Sequence, residues 1–100
     1  LAALSMGSCA TIGTTVNLFA PLFTRARAAF QAGDMDEALR WQRTINMRVE
    51  ATVKVGIFNA MKYGWTLRGV DCGFCRAPFK PLDEAARKAM ADLMAIPLEP

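Results

Sequence analysis

Hydrophobic residues recur at every third or fourth position over most of this chain, which is the spacing of amphipathic α-helices. The first such segment begins near Leu18 and ends before Gly33. Its apolar positions are Leu18, Phe19, Leu22, Phe23, Ala26 and Phe30. Pro21 falls in its first turn, where the missing N–H has no hydrogen-bond partner to lose. The pattern therefore predicts one helix in this segment.

A second helix is predicted directly after Gly33. Asp34 and Glu37 have the spacing of a capping box, in which each side chain satisfies backbone amides at the helix start. The predicted apolar stripe consists of Ala38, Trp41, Ile45, Val49 and Val53, with Arg40, Arg43, Arg48 and Glu50 elsewhere on the helix. Gly56 is expected to break or bend this helix.

Two further helices and a loop complete the pattern. Residues 57–68 are predicted to be helical, with Gly69 as the C-cap. One face of this helix carries Ile57, Ala60, Met61, Gly64 and Trp65. Residues 70–82 contain glycine, cysteine and proline and are predicted to form an ordered loop. Asp83 can cap a final helix over residues 84–95.

The first residues follow a different pattern. Residues 1–6 suggest the end of a helix, and Gly7 its stop. Residues 9–12 form a short uncharged run between Gly7 and Gly13, as expected for a buried strand of a parallel sheet. An order of helix, glycine, buried strand, loop and helix is typical of parallel α/β proteins. The sequence thus predicts one short strand in a mainly helical chain.

Composition narrows the class of protein. A chain of 100 residues forms one domain at most, and 53% hydrophobic residues with a mean hydropathy of +0.18 is rich for a small free-standing domain. The chain also begins at Leu1 rather than at an initiator methionine, so we expect the end of a longer protein. Residues 1–24 carry no charge, but their many polar residues argue against a membrane span.

Charge and cysteine content limit the partners. The net charge of +3 comes from 12 Lys and Arg against 9 Asp and Glu, mixed along the helices without a basic patch, so no nucleic-acid partner is expected. Three cysteines are an odd number, which fits a reducing compartment and predicts a cytoplasmic protein.

Two short motifs resemble ligand sites but lack essential residues. The stretch "GSCATIGTT" has five residues between Gly7 and Gly13 where a phosphate-binding loop has four, and Thr14 stands in place of its lysine. Cys72 and Cys75 have the spacing of a metal or redox pair, but the chain has no histidine. We interpret them as structural loop cysteines and predict no metal site and no catalytic acid, base or nucleophile in this chain.

Unlike these two motifs, the small hydroxyl residues around Gly13 are candidates for a substrate site. The carboxyl ends of strands build the active site of a parallel α/β barrel, and a glycine there lets a substrate approach the backbone. Thr11, Thr14 and Thr15 supply hydroxyl groups at this point. The alternative is an ordinary turn between a strand and a helix.

Four stretches in succession carry a resemblance to a known family. They are "ATIGTTVN", "AFQAGDMDEALRWQ", "GIFNAMKYGWTLRGVDCG" and "CRAPFKPLDE". Together they resemble the C-terminal portion of the N-acetylneuraminate lyase and dihydrodipicolinate synthase family, over essentially the whole chain. The N-acetylneuraminate lyase branch is the most similar, because its members carry stretches like residues 13–17 and 75–79.

The resemblance implies a fold and an activity. The fold class is α/β, with this chain as the C-terminal fragment of a TIM (β/α)8 barrel. Residues 1–17 would hold the last strand and a substrate-facing loop, residues 18–33 the last barrel helix, and residues 34–100 a helical extension. Family members are homotetrameric class I aldolases that need no cofactor or metal. A lysine forms a Schiff base with pyruvate, and the second substrate is a sugar or an aldehyde.

The resemblance also implies the role of three residues. Ile12 matches an apolar residue at the end of strand eight, beside the Schiff-base lysine. Gly13 and Thr14 match the glycine and hydroxyl that face the polyhydroxylated part of the substrate. The catalytic lysine and tyrosine belong to earlier strands, so the chain alone is expected to be inactive. Other keto-acid aldolases or dehydratases of the family, dihydrodipicolinate synthase among them, and a small helical interaction module without catalysis are the alternatives.

Overall fold

A computed structural model describes residues 1–98 of the chain and shows five helices in that range. They are α1 (Ala2–Ser5), α2 (Thr14–Gln31), α3 (Met35–Lys54), α4 (Ile57–Leu67) and α5 (Glu84–Ala95). The chain forms two compact units, of which the first contains Leu1–Met47 and Leu98, and the second contains Arg48–Pro97. No helix within residues 1–98 has an apolar stretch long enough to cross a bilayer.

The predicted strand over residues 9–12 is wrong for the part of the chain that the structure describes. These residues have no regular secondary structure and are exposed, and the relative exposure of Ile12 is 102%. A strand exists only when its backbone groups pair with those of a neighbouring strand. Residues 1–98 contain no strand, so this segment has no pairing partner among the described residues.

Helix α2 confirms the predicted helical segment but begins earlier, at Thr14. The backbone at Phe19 leaves the helical region, with φ −113° and ψ 21°, so the helix has a break there. Pro21 lies two residues beyond Phe19, in the first turn of the segment that follows the break, where its missing N–H is tolerated. Leu18, Phe19, Leu22 and Ala26 are buried in the first unit.

The turn from α2 into α3 is built by glycine and aspartate. Gly33 has φ +78°, a left-handed conformation that favours glycine. The Asp34 amide donates to the Ala29 carbonyl at 3.0 Å, and the Asp34 carboxylate accepts from the Glu37 amide at 3.0 Å. The predicted cap is therefore half confirmed. The Glu37 carboxylate instead lies 3.3 Å from the Arg40 guanidinium.

The stripe predicted for α3 is right in its first half and wrong in its second half. Ala38, Trp41 and Ile45 are buried as predicted. Further along, the buried residues are Arg48 and Thr52, with relative exposures of 1% and 0%. Val49 and Val53, which the sequence placed on the stripe, are half-buried and exposed. The alternating spacing of three and four residues continues unbroken, but in its second half it falls on polar side chains.

In the second unit, α4 and α5 pack against each other, and residues 70–82 form the predicted loop between them. Gly56, with φ +99°, separates α3 from α4, and Gly69, with φ +87°, follows α4. Asp83 caps α5 as predicted, because its carboxylate accepts from the Ala86 amide at 2.8 Å. The buried residues of α4 and α5 are Asn59, Ala60, Met61, Gly64, Met90 and Leu93. Ile57 and Trp65 are only half-buried.

Candidate functional site

The three residues that the sequence nominated lie together at the start of α2. Ile12, Gly13 and Thr14 line an open depression on the first unit, together with Thr11, Val16 and Asn17. Ile12, Gly13 and Thr14 are all exposed. The chain therefore brings the candidate residues to one surface.

The backbone at Gly13 does not itself require glycine. Its φ of −177° and ψ of 151° are extended values that any residue adopts. A Cβ atom added at this position would meet only the Val16 Cγ2 atom, at an ordinary contact distance of 3.7 Å. Neither strain nor crowding within residues 1–98 accounts for a glycine here.

Polar side chains around the depression have no internal hydrogen bonds. Within the described residues, the side chains of Thr11, Thr14, Thr15 and Asn17 make no hydrogen bond to the protein. Threonine and asparagine can each donate and accept hydrogen bonds. The depression thus offers several donors and acceptors to a bound molecule.

Hydrogen bonds hold the segment that leads to this depression. The Arg27 guanidinium on α2 donates to the Cys9 carbonyl at 2.7 Å. The Ser8 hydroxyl donates to the Ala10 carbonyl at 3.0 Å, and the Ser8 amide donates to the Ala3 carbonyl at 2.9 Å. Sequence reasoning missed Arg27, because nothing in the spacing of a charged helix residue indicates a bond 18 positions away.

The loop of the second unit is fixed by side chains of α4. The Asn59 side chain donates to the Lys80 carbonyl at 2.8 Å and accepts from the Cys75 amide at 2.7 Å. The Lys62 ammonium donates to the Cys72 carbonyl at 2.8 Å. Both cysteines are free thiols, Cys72 exposed and Cys75 half-buried. Asn59 was also missed, because it lies off the apolar face predicted for this helix and its partners are 16 and 21 positions away.

Arg48 holds the end of α5 in the same unit. Its guanidinium donates to the carbonyls of Leu93, Ile96 and Pro97 at 3.1, 2.9 and 2.7 Å. Burial lowers the pKa of Arg48, and the positive charge of Arg68 lowers it further. The hydrogen bonds to the three carbonyls replace the hydration that the guanidinium loses on burial. The expectation that Arg48 lies off the buried stripe is therefore wrong.

Comparison with known proteins shows the family. A model of the dihydrodipicolinate synthetase family matches residues 1–96, and the chain belongs to this family. The N-acetylneuraminate lyase of Rhizobium meliloti is 34% identical over 95 residues, which cover 95% of this chain and 32% of that protein. The N-acetylneuraminate lyase of Fusobacterium nucleatum is 33% identical over 87 residues, which cover 84% of this chain and 29% of that protein.

A solved structure is similar as well. The N-acetylneuraminate lyase of Proteus mirabilis matches with a TM-score of 0.85 at 26% identity, over 93% of this chain and 32% of that one. The resemblance drawn from the four sequence stretches is thereby confirmed, as is the mainly helical character of the chain. The chain spans about a third of the length of the relatives that it matches.

Proposed function

We propose that the chain is the C-terminal part of a class I, pyruvate-dependent lyase that acts on N-acetylneuraminate or a related 2-keto sugar acid. Support comes from two relatives and one solved structure that bear the name N-acetylneuraminate lyase. They cover between 84% and 95% of this chain. A non-catalytic helical module has no comparable support.

In the proposed protein, residues 1–17 end the TIM barrel and carry its substrate-facing loop. Residues 18–33 belong to the last barrel helix and residues 34–100 to a helical extension, of which residues 99 and 100 lie outside the described part of the chain. The full exposure of Ile12 supports this arrangement, because the strands of the rest of the barrel would cover an isoleucine at this point. We further propose a cytoplasmic homotetramer.

The observation that carries the proposal is the set of uncommitted polar groups around Gly13. A polyhydroxylated substrate needs donors and acceptors that are not already used by the protein, and Thr11, Thr14 and Asn17 supply them. The missing side chain of Gly13 lets such a substrate approach the backbone. Ile12 offers an apolar contact beside the reacting carbons.

The chemistry of the proposed reaction lies outside this chain. In class I aldolases a lysine amine condenses with the keto group of the substrate and releases water, and the protonated imine takes up the electron pair of the cleaved carbon–carbon bond. The residues of this chain would bind and orient the hydroxylated part of the substrate. Their contribution therefore concerns substrate recognition rather than bond cleavage.

The test uses Thr14→Val in the intact enzyme, with Thr24→Val as the matched control. The Thr24 hydroxyl donates to the Ala20 carbonyl of its own helix, so it is already committed. We expect Thr14→Val to lower kcat/KM for the sugar acid by about tenfold, because a substrate hydroxyl loses its partner. Trapping of pyruvate by borohydride should be unchanged in both variants.

Two results would count against the proposal in different ways. If the intact enzyme forms no borohydride-trapped pyruvate adduct, the Schiff-base class is wrong. If Thr14→Val and Thr24→Val have equal kinetics, the class survives but the assigned role of Thr14 does not. Turnover of other keto acids in preference to N-acetylneuraminate would favour a different branch of the family, such as dihydrodipicolinate synthase.

A further inference from the structure

A second recess lies entirely within the second unit, between α4, the loop over residues 70–82 and the start of α5. Its volume is about 310 Å³, which is at the lower end of the range for small-molecule sites. The side chains that line it include Tyr63, Thr66, Phe74, Pro81, Leu82 and Arg87. None of these residues belongs to the substrate site proposed above, so the inference does not depend on that proposal.

One end of this recess is cationic and offers a hydroxyl group. The Arg87 guanidinium lies 5.9 Å from the centre of the Tyr63 ring. Among residues 1–98, no carboxylate forms an ion pair with Arg87, although Asp83 and Glu84 lie on the same helical turn. The Tyr63 hydroxyl likewise makes no hydrogen bond within the described residues. A guanidinium and a phenol hydroxyl both donate hydrogen bonds, and together they suit an anionic oxygen pair.

The other side of the recess is apolar. Phe74 is 78% exposed, which is unusual for so large an apolar side chain. Pro81 is exposed and Leu82 is half-buried on the same recess. The two other polar residues of the recess are already used. The Thr66 hydroxyl donates to the Lys62 carbonyl, and the Asn59 side chain bonds to the loop. An apolar body of about the size of one ring would bury these surfaces.

The recess is held open by fixed backbone. Asn59 joins α4 to the loop at the Lys80 carbonyl and the Cys75 amide. Lys62 binds the Cys72 carbonyl, and the Asp71 carboxylate accepts from the Gly73 amide at 2.8 Å. Because these bonds tie both ends of the loop, the wall that carries Phe74 is in place before any ligand binds, which lowers the entropy cost of binding.

We propose that this recess binds a small monocarboxylate with an apolar, ring-sized body. The carboxylate accepts hydrogen bonds from the Arg87 guanidinium and the Tyr63 hydroxyl. The body packs on Phe74 and Leu82. An inorganic anion would satisfy only the charged end, and a neutral aromatic molecule only the apolar side.

In the experiment, the intact protein that contains this chain is titrated separately with phenylacetate, acetate and 2-phenylethanol. Binding is followed by calorimetry and by the NMR signals of ring-labelled tyrosine. Tyr63 is the single tyrosine of this chain, and its signal in the intact protein is identified as the one that disappears in Tyr63→Phe. We expect saturable binding of phenylacetate that shifts the Tyr63 signal. Acetate and 2-phenylethanol should bind at least about tenfold more weakly, because each lacks one half of the interaction.

Three variants locate the site. Arg87→Gln should weaken phenylacetate binding by about tenfold. Tyr63→Phe, for which binding is measured by calorimetry, should weaken it by a few fold. Arg43→Gln makes the same change of charge at an exposed position of α3 and should leave binding unchanged. Phe74→Ala removes a mostly exposed ring, so the fold should survive while binding of phenylacetate weakens and that of acetate does not.

The proposal is overturned if phenylacetate fails to saturate the wild-type chain. It is also overturned if acetate binds as well as phenylacetate, since that indicates simple pairing of anions with an exposed arginine. Equal affinity of Arg87→Gln and Arg43→Gln for phenylacetate would show that the Arg87 guanidinium does not bind the carboxylate. Equal affinity in Phe74→Ala and the wild type would exclude the apolar side.

Discussion

Replacement of Arg48 by methionine is expected to loosen the end of α5. Methionine keeps a similar length and apolar stem, but it cannot donate to the carbonyls of Leu93, Ile96 and Pro97. The last carbonyls of a helix have no partner within the helix, so they depend on groups such as this guanidinium. The variant therefore removes the connection between α3 and the end of α5 within the second unit.

The magnitude follows from how each carbonyl can be satisfied afterwards. A hydrogen bond from a charged donor contributes about 1.5–3 kcal/mol. Ile96 and Pro97 are exposed, so water can replace the guanidinium at their carbonyls. Leu93 is buried, with a relative exposure of 6%, and its carbonyl keeps only a 3.3 Å contact with the Ile96 amide. The variant also avoids the cost of burying a charge. We therefore expect a net loss of about 2–3 kcal/mol.

Hydrogen–deuterium exchange of the α5 amides measures this loss locally. A loss of 2–3 kcal/mol corresponds to roughly 30- to 150-fold faster exchange when these amides exchange through opening of this unit. Arg43→Met is the matched control, because Arg43 lies exposed on the same helix, and its effect should stay within about 0.5 kcal/mol. Equal protection of α5 in the two variants would refute the assignment of Arg48 as the group that holds this end.

Two further substitutions test the loop and a turn. Asn59→Ala should release the loop over residues 70–82, so trypsin should cleave after Arg76 roughly tenfold faster. Asn46→Ala, which removes an exposed amide, should leave the cleavage rate unchanged. Equal cleavage rates in the two variants would contradict the bridging role of Asn59. Gly56→Ala forces a side chain into the left-handed region at φ +99° and should cost about 1–2 kcal/mol in urea unfolding. Gly13→Ala, at an extended φ, should cost less than about 0.5 kcal/mol, and an equal cost at both sites would refute this reasoning.

The sequence by itself determined where most of the helices begin and end. The Asp83 cap places the start of α5, and Gly33, Gly56 and Gly69 mark boundaries at which the structure shows positive φ. These signals act between residues a few positions apart, so they can be recognised from the chain alone. The family resemblance also came from the order of short stretches. The roles of Ile12, Gly13 and Thr14 stay predictions.

Only the tertiary structure decided which polar side chains are buried and which apolar ones are exposed. Arg48 bonds to carbonyls 45 to 49 positions away, and Asn59 bonds to groups 16 and 21 positions away. Hydrophobic periodicity cannot reveal such partners, because it assumes that a charged or amide side chain faces water. The strand expected over residues 9–12 failed for the related reason that a strand needs a neighbour, which no local pattern supplies. Interactions between residues a few positions apart therefore determined the helix boundaries, whereas contacts between residues far apart in the chain determined which side chains are buried.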